Sequence, residues 1–223
     1  MRTDLFEYMF EFLTEERKER FISVVNNRTR HVTVVLEDLF QMHNASAVLR
    51  SCDCFGIQDA HIIENRNEYK LNKEIDMGST KWLHVNKYSE KENNTIDCIN
   101  HLKSQGYTIY ATTPQANNTA INKIPLKNKI ALLFGTELTG LSETALKHAD
   151  GLAHIPMHGF TESFNISVSA ALVLSELSAR LRTENISFEL TSEEKTALLF
   201  EWTMKTVKSS HKIKNRYLIE NPI

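Results

Sequence analysis

Residues 130–134, IALLF, are apolar at every position, and the segment GTELTG, residues 135–140, follows at once. A strand apolar on both faces needs a cover on both. That is the condition of a buried parallel strand, not of an antiparallel strand with one wet face. The chain around it fits. Residues 32–36 lie in the β-branched run HVTVVLE and predict a first strand. Strands also follow at 61–63, 83–85, 107–112 and 151–155. Between them lie helical patterns at 44–54, 95–105, 142–148 and 165–182. Alternating strands and helices predict an α/β fold with a mostly parallel sheet and helices on both faces. In the first of these helices Ala45, Val48, Leu49 and Cys52 share a face, and Asn44 reads as the N-cap. The polar stretch 64–80 is long for a compact domain, and such loops are often functional.

Helices alone are expected at the two ends. Residues 4–13 carry a wide apolar face, and Thr14 is placed to cap a second helix running to about Asn26. Thr191 is placed to cap a last helix carrying Leu198, Trp202 and Val207. The expected division is a helical extension at 1–31, an α/β domain at 32–182 and a second helical extension at 183–223. No run of 18 apolar residues exists, so no transmembrane helix or membrane partner is expected. The first twenty residues scatter acids among apolar positions, unlike a secretory signal. Cys52, Cys54 and Cys98 are an odd count, which fits reduced, buried thiols in the cytoplasm. Neither Cys52 with Cys54 nor His154 with His158 has a second ligand pair at metal spacing, so no metal is expected.

A net charge of −2 argues against a general nucleic-acid binder, and no DNA partner is expected. The charge is unevenly placed. Residues 202–219 contain Lys205, Lys208, Lys212, Lys214 and Arg216 and no acid. Residues 17–30 contain Arg17, Lys18, Arg20, Arg28 and Arg30 against one acid, Glu19. Two basic segments on an acidic body suit either a polyanion or plain solvated helices.

Chemistry concentrates at two joints. In 154–171, HIPMHGFTESFNISVSAA, a strand ends near Pro156 and a helix begins after Ser163 or Asn165. Ser163, Asn165, Ser167 and Ser169 are more polar side chains than one cap uses, and a helix start with free amides can hold a polar ligand edge. The other joint is GTELTG, just past the carboxyl end of a buried strand, where α/β sheets bind ligands. It matches neither the dinucleotide fingerprint nor the phosphate-binding loop. Arg50 lies off the apolar face of its helix, as a surface ion pair or a site residue would.

Three segments, taken together, carry a resemblance. They are Asn44-x-x-Ala47-x-x-Arg50, then Leu133-Phe134-Gly135-x-Glu137-x-x-Gly140, then Ile155-Pro156-Met157-x-Gly159-x-x-x-Ser163-x-Asn165-x-Ser167. Their order and spacing resemble the three motifs of SpoU-type RNA 2′-O-methyltransferases of the SPOUT superfamily. Similarity runs from about Arg17 to Arg182. Within the family the layout looks most like the TrmH-like tRNA guanosine-18 enzymes, which also have a basic helix before the first strand and helical extensions after the knot. The resemblance implies a C-terminal trefoil knot, a homodimer, tRNA as partner and S-adenosylmethionine as methyl donor. It implies donor binding by Thr112, Gly135, Ile155 and Phe164, the last standing where the family usually has Leu. It makes Arg50 the catalytic residue. Asn44, Ser163 and Asn165 would orient it and the ribose, and Glu137 would fix the loops or Asn44. Arg17, Lys18, Arg20, Arg28, Lys81, Lys205, Lys208, Lys212 and Lys214 would hold the RNA backbone. The same chemistry on ribosomal RNA or another tRNA nucleotide, and a knot protein that only binds RNA, are the rival expectations.

Overall fold

The computed structural model describes residues 2–69, 72–114 and 118–222, the side chain of Lys73 excepted. The chain forms two compact units, Met1–Arg28 with Glu189–Ile223, and Thr29–Phe188. The first unit opens with α1 (Thr3–Phe10) and α2 (Glu15–Val25). Thr14 caps α2, its hydroxyl accepting from the amide of Arg17 at 3.3 Å.

The second unit is built on seven strands. They are β1 (Val32–Glu37), β2 (Asp59–Ile63), β3 (His84–Tyr88), β4 (Tyr107–Thr112), β5 (Thr119–Ala120), β6 (Lys129–Phe134) and β7 (Gly151–His154). Their order is β3-β2-β1-β6-β4-β7-β5, and every pairing is parallel. The helices are α3 (Met42–Cys54), the single turn α4 (Lys73–Asp76), α5 (Asn94–Ser104), α6 (Glu143–His148) and α7 (Ile166–Thr183).

Strand alternation divides the core between the two faces. Ile130, Leu132 and Phe134 of β6 join Val32, Val34 and Leu36 of β1 in one apolar cluster with α3 and α7. Ala131, Leu133 and Val35 join a second cluster with Cys98, Ile99 and Leu102 of α5 and Ala145 of α6. A strand with an apolar cluster on each face is favoured by apolar residues at every position, which is why IALLF reads as it does. The chain runs outward from β1 to β3, crosses to β4, then returns to place β6 between β1 and β4. The strand order reverses there, and the carboxyl ends of β4, β6 and β7 border the crevice where such sheets bind ligands.

In the first unit the chain ends with α8 (Ser192–Thr206) and α9 (Ser210–Glu220). A capping box opens α8. The Thr191 hydroxyl accepts from the Glu194 amide at 3.2 Å, and the Glu194 carboxylate accepts from the Thr191 amide at 2.9 Å. Trp202 is 1% exposed and meets Phe21 edge-on at 5.6 Å between ring centroids. The two terminal segments therefore share a core that neither has alone.

Several expectations are corrected. Asn44 is not the N-cap of its helix. That helix starts at Met42, after Gln41, and the Asn44 side chain is engaged by tertiary partners instead. The single last helix is two, divided at Ser209, whose φ of 57° is left-handed and breaks the helical path. The stretch 64–80 is not wholly irregular: it holds α4 and the start of a 3-10 turn, Ser79–Trp82. Cys54 is exposed, while Cys52 and Cys98 are buried. The short strand β5 had no sequence signal, because two residues show no period.

Candidate active site

Loop 135–140 leaves β6 and closes on itself. The backbones of Thr136 and Gly140 exchange two hydrogen bonds of 3.0 Å. Gly140 has φ of 68°, a conformation that costs glycine little. Gly135 is required for another reason. A Cβ there would stand 2.2 Å from the carbonyl carbon of Gly140 and 2.3 Å from the amide nitrogen of Leu141.

One segment of the chain grips this loop at three points. Leu36 of β1 is in register with Phe134, where the loop begins. Glu37, 2% exposed, holds its far end. The Glu37 carboxylate accepts from the Ser142 amide and the Ser142 hydroxyl, each at 2.8 Å, and from the Thr95 hydroxyl at 2.6 Å. Ser142 in turn caps α6. The third point is Asn44, whose side-chain amide donates to the Glu137 carboxylate and, at 3.0 Å, to Gln41 Oε1. Asn165 Nδ2 completes the chain by donating to Asn44 Oδ1 at 3.2 Å. Asn165 is also the cap of α7, its Oδ1 accepting from the Ser167 amide at 2.9 Å and hydroxyl at 2.6 Å. A buried carboxylate with three donors and a buried amide that both gives and accepts are satisfied polar groups. They fix geometry without the penalty of an orphan.

Beside this network a cavity of about 390 Å³ opens between the ends of β4, β6 and β7 and the start of α7. Thr112, Gly135, Ile155 and Phe164 all line it, as do Glu137 and Ser163. Thr112 is oriented by a 2.7 Å bond from its hydroxyl to the carbonyl of Leu133. His154, also in the wall, has Nδ1 buried with no hydrogen-bond partner. The volume falls in the range of small-molecule sites, and the orphan nitrogen offers a polar contact to an occupant. Asn44 stands behind Glu137, outside the lining. Arg50, on the exposed side of α3, is also outside it and makes no hydrogen bond or ion pair among the described residues.

The basic residues fall into two groups. Arg17, Arg20, Lys81, Lys208 and Lys212 are exposed, with the Lys81 ammonium 4.6 Å from the Trp82 ring centroid. Lys205 pairs with Glu201 at 2.6 Å, and Lys214 lies 5.8 Å from the Phe200 ring centroid. Lys18 and Arg28 are corrections, because neither is open to an RNA backbone. Lys18 is 9% exposed and pairs with Glu11 and Glu15, each at 2.9 Å. Arg28 is 1% exposed, its guanidinium 5.5 Å from the Trp202 ring centroid. Sequence reasoning missed Glu37 as a site component. The signal was an acid closing a strand that is otherwise β-branched and aliphatic. Among the described residues no group of three His, Cys, Asp or Glu is placed to hold a metal ion, and no helix is long and apolar enough to cross a membrane.

Comparison with known proteins places nearly the whole chain among relatives of the same kind. The tRNA (guanosine(18)-2′-O)-methyltransferase of Borreliella burgdorferi is 42% identical over 205 residues, covering 92% of each chain. Among solved structures, the TrmH/SpoU tRNA modifying enzyme of A. aeolicus superposes with a TM-score of 0.75 at 25% identity, covering 87% of this chain and 98% of that one. The SpoU methyltransferase AviRb of Streptomyces viridochromogenes, solved with AdoMet, shares the fold, with a TM-score of 0.61 at 18% identity over 73% of this chain and 65% of that one. The SpoU rRNA Methylase family matches residues 31–175, a span that takes in Arg50, the loop after β6 and the start of α7. This chain belongs to that family.

Proposed function

We infer that this protein transfers a methyl group from S-adenosylmethionine to the ribose 2′-hydroxyl of guanosine 18 in the D-loop of tRNA. The observation that carries the reading is the cavity at the strand ends, walled by the two motif loops and backed by the Asn44–Glu137–Asn165 network. Thr112, Gly135, Ile155 and Phe164 hold the methyl donor, which supplies an already activated methyl group. The protein's task is therefore to align the acceptor and stabilise its developing charge.

Arg50 does this as a clamp, not a base. A guanidinium stays protonated at any pH a protein tolerates, so it has no free lone pair with which to act as a base. Its fork binds the phosphate next to the acceptor and stabilises the forming oxyanion, and a phosphate oxygen or water takes the proton. Asn44, Ser163 and Asn165 orient Arg50 and the ribose, and Glu137 holds Asn44.

The active unit is a homodimer in which Arg50 of one chain completes the cavity of the other. Two features support this. Arg50 lies outside the cavity of its own chain, and α7 presents an exposed apolar stripe with Val168 at 45% and Leu172 at 41%. Small residues Ser175 and Ala179 continue that stripe at helical spacing and allow a second helix to approach. The catalytic domain spans residues 32–182, with its C-terminal part threaded as a trefoil knot. The extensions 1–31 and 183–223 supply RNA contacts through Arg17, Arg20, Lys205, Lys208, Lys212 and Lys214, and Lys81 does so from the loop before β3. The setting is cytoplasmic.

The test is methylation of purified tRNA and of ribosomal RNA in vitro, followed by digestion and mass mapping of the nucleosides. A methyl group at the 2′-oxygen of guanosine 18 is expected. Methylation of a base, or of a ribose outside the D-loop, would overturn the reading.

A further inference from the structure

The cavity at the strand ends continues into a second, shallower hollow of about 510 Å³ formed by residues 154–162 and Pro114. The two share Pro114, His154, Ile155, Met157 and Glu162. If the acceptor ribose is presented at the first cavity, its base cannot be far away, because the two are joined by a single glycosidic bond. The adjoining hollow is the space next to the ribose.

Two side chains in that hollow are unusual. Phe160 is exposed to the full extent a phenylalanine can be, at 109%. An aromatic ring left wholly in water gains nothing within its own chain, and bases of every kind stack on such rings. Glu162 is exposed, lines both hollows, and makes no hydrogen bond or ion pair among the described residues. A carboxylate accepts two hydrogen bonds side by side. Of the four RNA bases, only guanine offers two adjacent donors on its Watson–Crick edge, N1–H and the 2-amino group. Adenine and cytosine each set one amino group beside an acceptor, and uracil sets one N–H between two acceptors. Single-stranded and looped bases are read on this edge when they are splayed out.

We propose that Phe160 and Glu162 form the subsite for the base of the acceptor nucleoside. Phe160 stacks on the ring, and Glu162 selects guanine by accepting from N1–H and the 2-amino group. The proposal rests on the reading of this protein as a guanosine 2′-O-methyltransferase and adds the residue that makes it specific for guanosine.

The test uses the full chain, S-adenosylmethionine and two tRNA preparations that differ only at position 18, guanosine or inosine. Inosine keeps N1–H and lacks the 2-amino group. For the wild type, kcat/KM on the inosine tRNA is expected to fall on the order of tenfold, as loss of one arm of a bidentate base contact does. In Glu162→Gln the guanosine substrate should suffer and the guanosine-to-inosine ratio should shrink toward one, because an amide nitrogen opposes the 2-amino donor. A merely structural role for Glu162 would slow both substrates and leave the ratio alone. Phe160→Ala should raise KM for both substrates by a similar factor, and Phe160→Tyr should restore it. Donor binding, followed by calorimetry, should be unchanged in the two Phe160 variants, whose ring lies outside the donor cavity.

If the wild type does not methylate guanosine 18, the parent reading fails and this one with it. If it does, but the ratio is the same in Glu162→Gln, the guanine subsite alone is overturned. A Phe160→Ala protein that dissociates into monomers would place that ring in a protein interface and overturn its stacking role.

Discussion

Asn44 and Arg50 sit on the same helix, less than two turns apart, in opposite circumstances. Asn44 is 2% exposed, and its side chain is joined to Gln41, Glu137 and Asn165. Arg50 is exposed and joined to nothing among the described residues. One end of α3 is thus finished within a single chain, and the other is left open. Satisfied, buried polar groups hold a loop in place before any ligand arrives, so their loss is felt in folding as well as in function. A free guanidinium contributes nothing to the fold and keeps its donors for a phosphate or a developing oxyanion. The contrast gives each residue a distinct experimental signature.

The largest effect is expected from Arg50→Ala. Removing a group that stabilises transition-state charge costs about 10²- to 10³-fold in kcat. Thermal stability and donor binding should stay at the wild-type level. Arg50→Lys should be nearly as damaged, because it keeps the charge and loses the fork. A lysine variant with near-normal kcat would break the clamp reading. Asn44→Ala, on the finished side, should lower kcat and melting temperature together, because the hydrogen bonds that tie the Glu137 loop and the start of α7 to α3 are lost. An Asn44→Ala protein that melts like the wild type would erase the distinction between the two ends of α3.

The opposite face of the sheet from α3 holds a buried titratable group, His61 of β2, beside Tyr88 and His101 of α5. Burial pushes the His61 imidazole down to about 4, with His101 adding to the effect and Asp59 opposing it. Its Nδ1 lies 3.1 Å from the Tyr88 hydroxyl. In the unfolded chain the same ring titrates near 6.5, so between pH 6.5 and 4 the unfolded state binds a proton that the folded state does not. Stability from this group is complete above that window and is lost as pH falls through it, by on the order of 3 kcal/mol. His61→Phe should flatten the acid limb of a denaturation curve taken against pH. An unchanged limb would mean that other groups dominate it.

The parts of the molecule legible in the sequence are those governed by local chemistry. IALLF announced a strand covered on both faces, and Thr14 and Thr191 announced helix starts, because a cap needs only its own next few residues. Asn44 was misread by the same logic. It has a cap's side chain, but its partners Glu137 and Asn165 lie 93 and 121 residues further on, and no local rule sees them. Arg28 failed in the same way: a basic residue in a basic run looks solvated until Trp202, far along the chain, covers it. Within the candidate site, Thr112, Gly135, Ile155 and Phe164, the residues proposed to hold the methyl donor, came from the motif resemblance. The cavity that gathers them arises from the reversal of strand order, which no single segment records.

The smallest effect concerns the basic terminal segments, and it separates open cations from finished ones again. Lys208 and Lys212 are exposed and make no ion pair among the described residues, whereas Lys18 is held by Glu11 and Glu15. A lysine that neutralises a phosphate releases counterions, so each such contact contributes about one unit to the slope of log K against log salt. The double variant Lys208→Gln with Lys212→Gln should therefore reduce the slope for tRNA binding by about two. Lys18→Gln should leave the slope where it is and lower the melting temperature, because its charge is already spent on two carboxylates. Filter binding across a range of salt concentrations reads the slope, and thermal denaturation reads the stability. If Lys18→Gln flattened the slope as much as the double variant, its ion pairs would have to open on RNA binding. Sequence charge alone, rather than exposure, would then be the better guide to which cations meet the backbone.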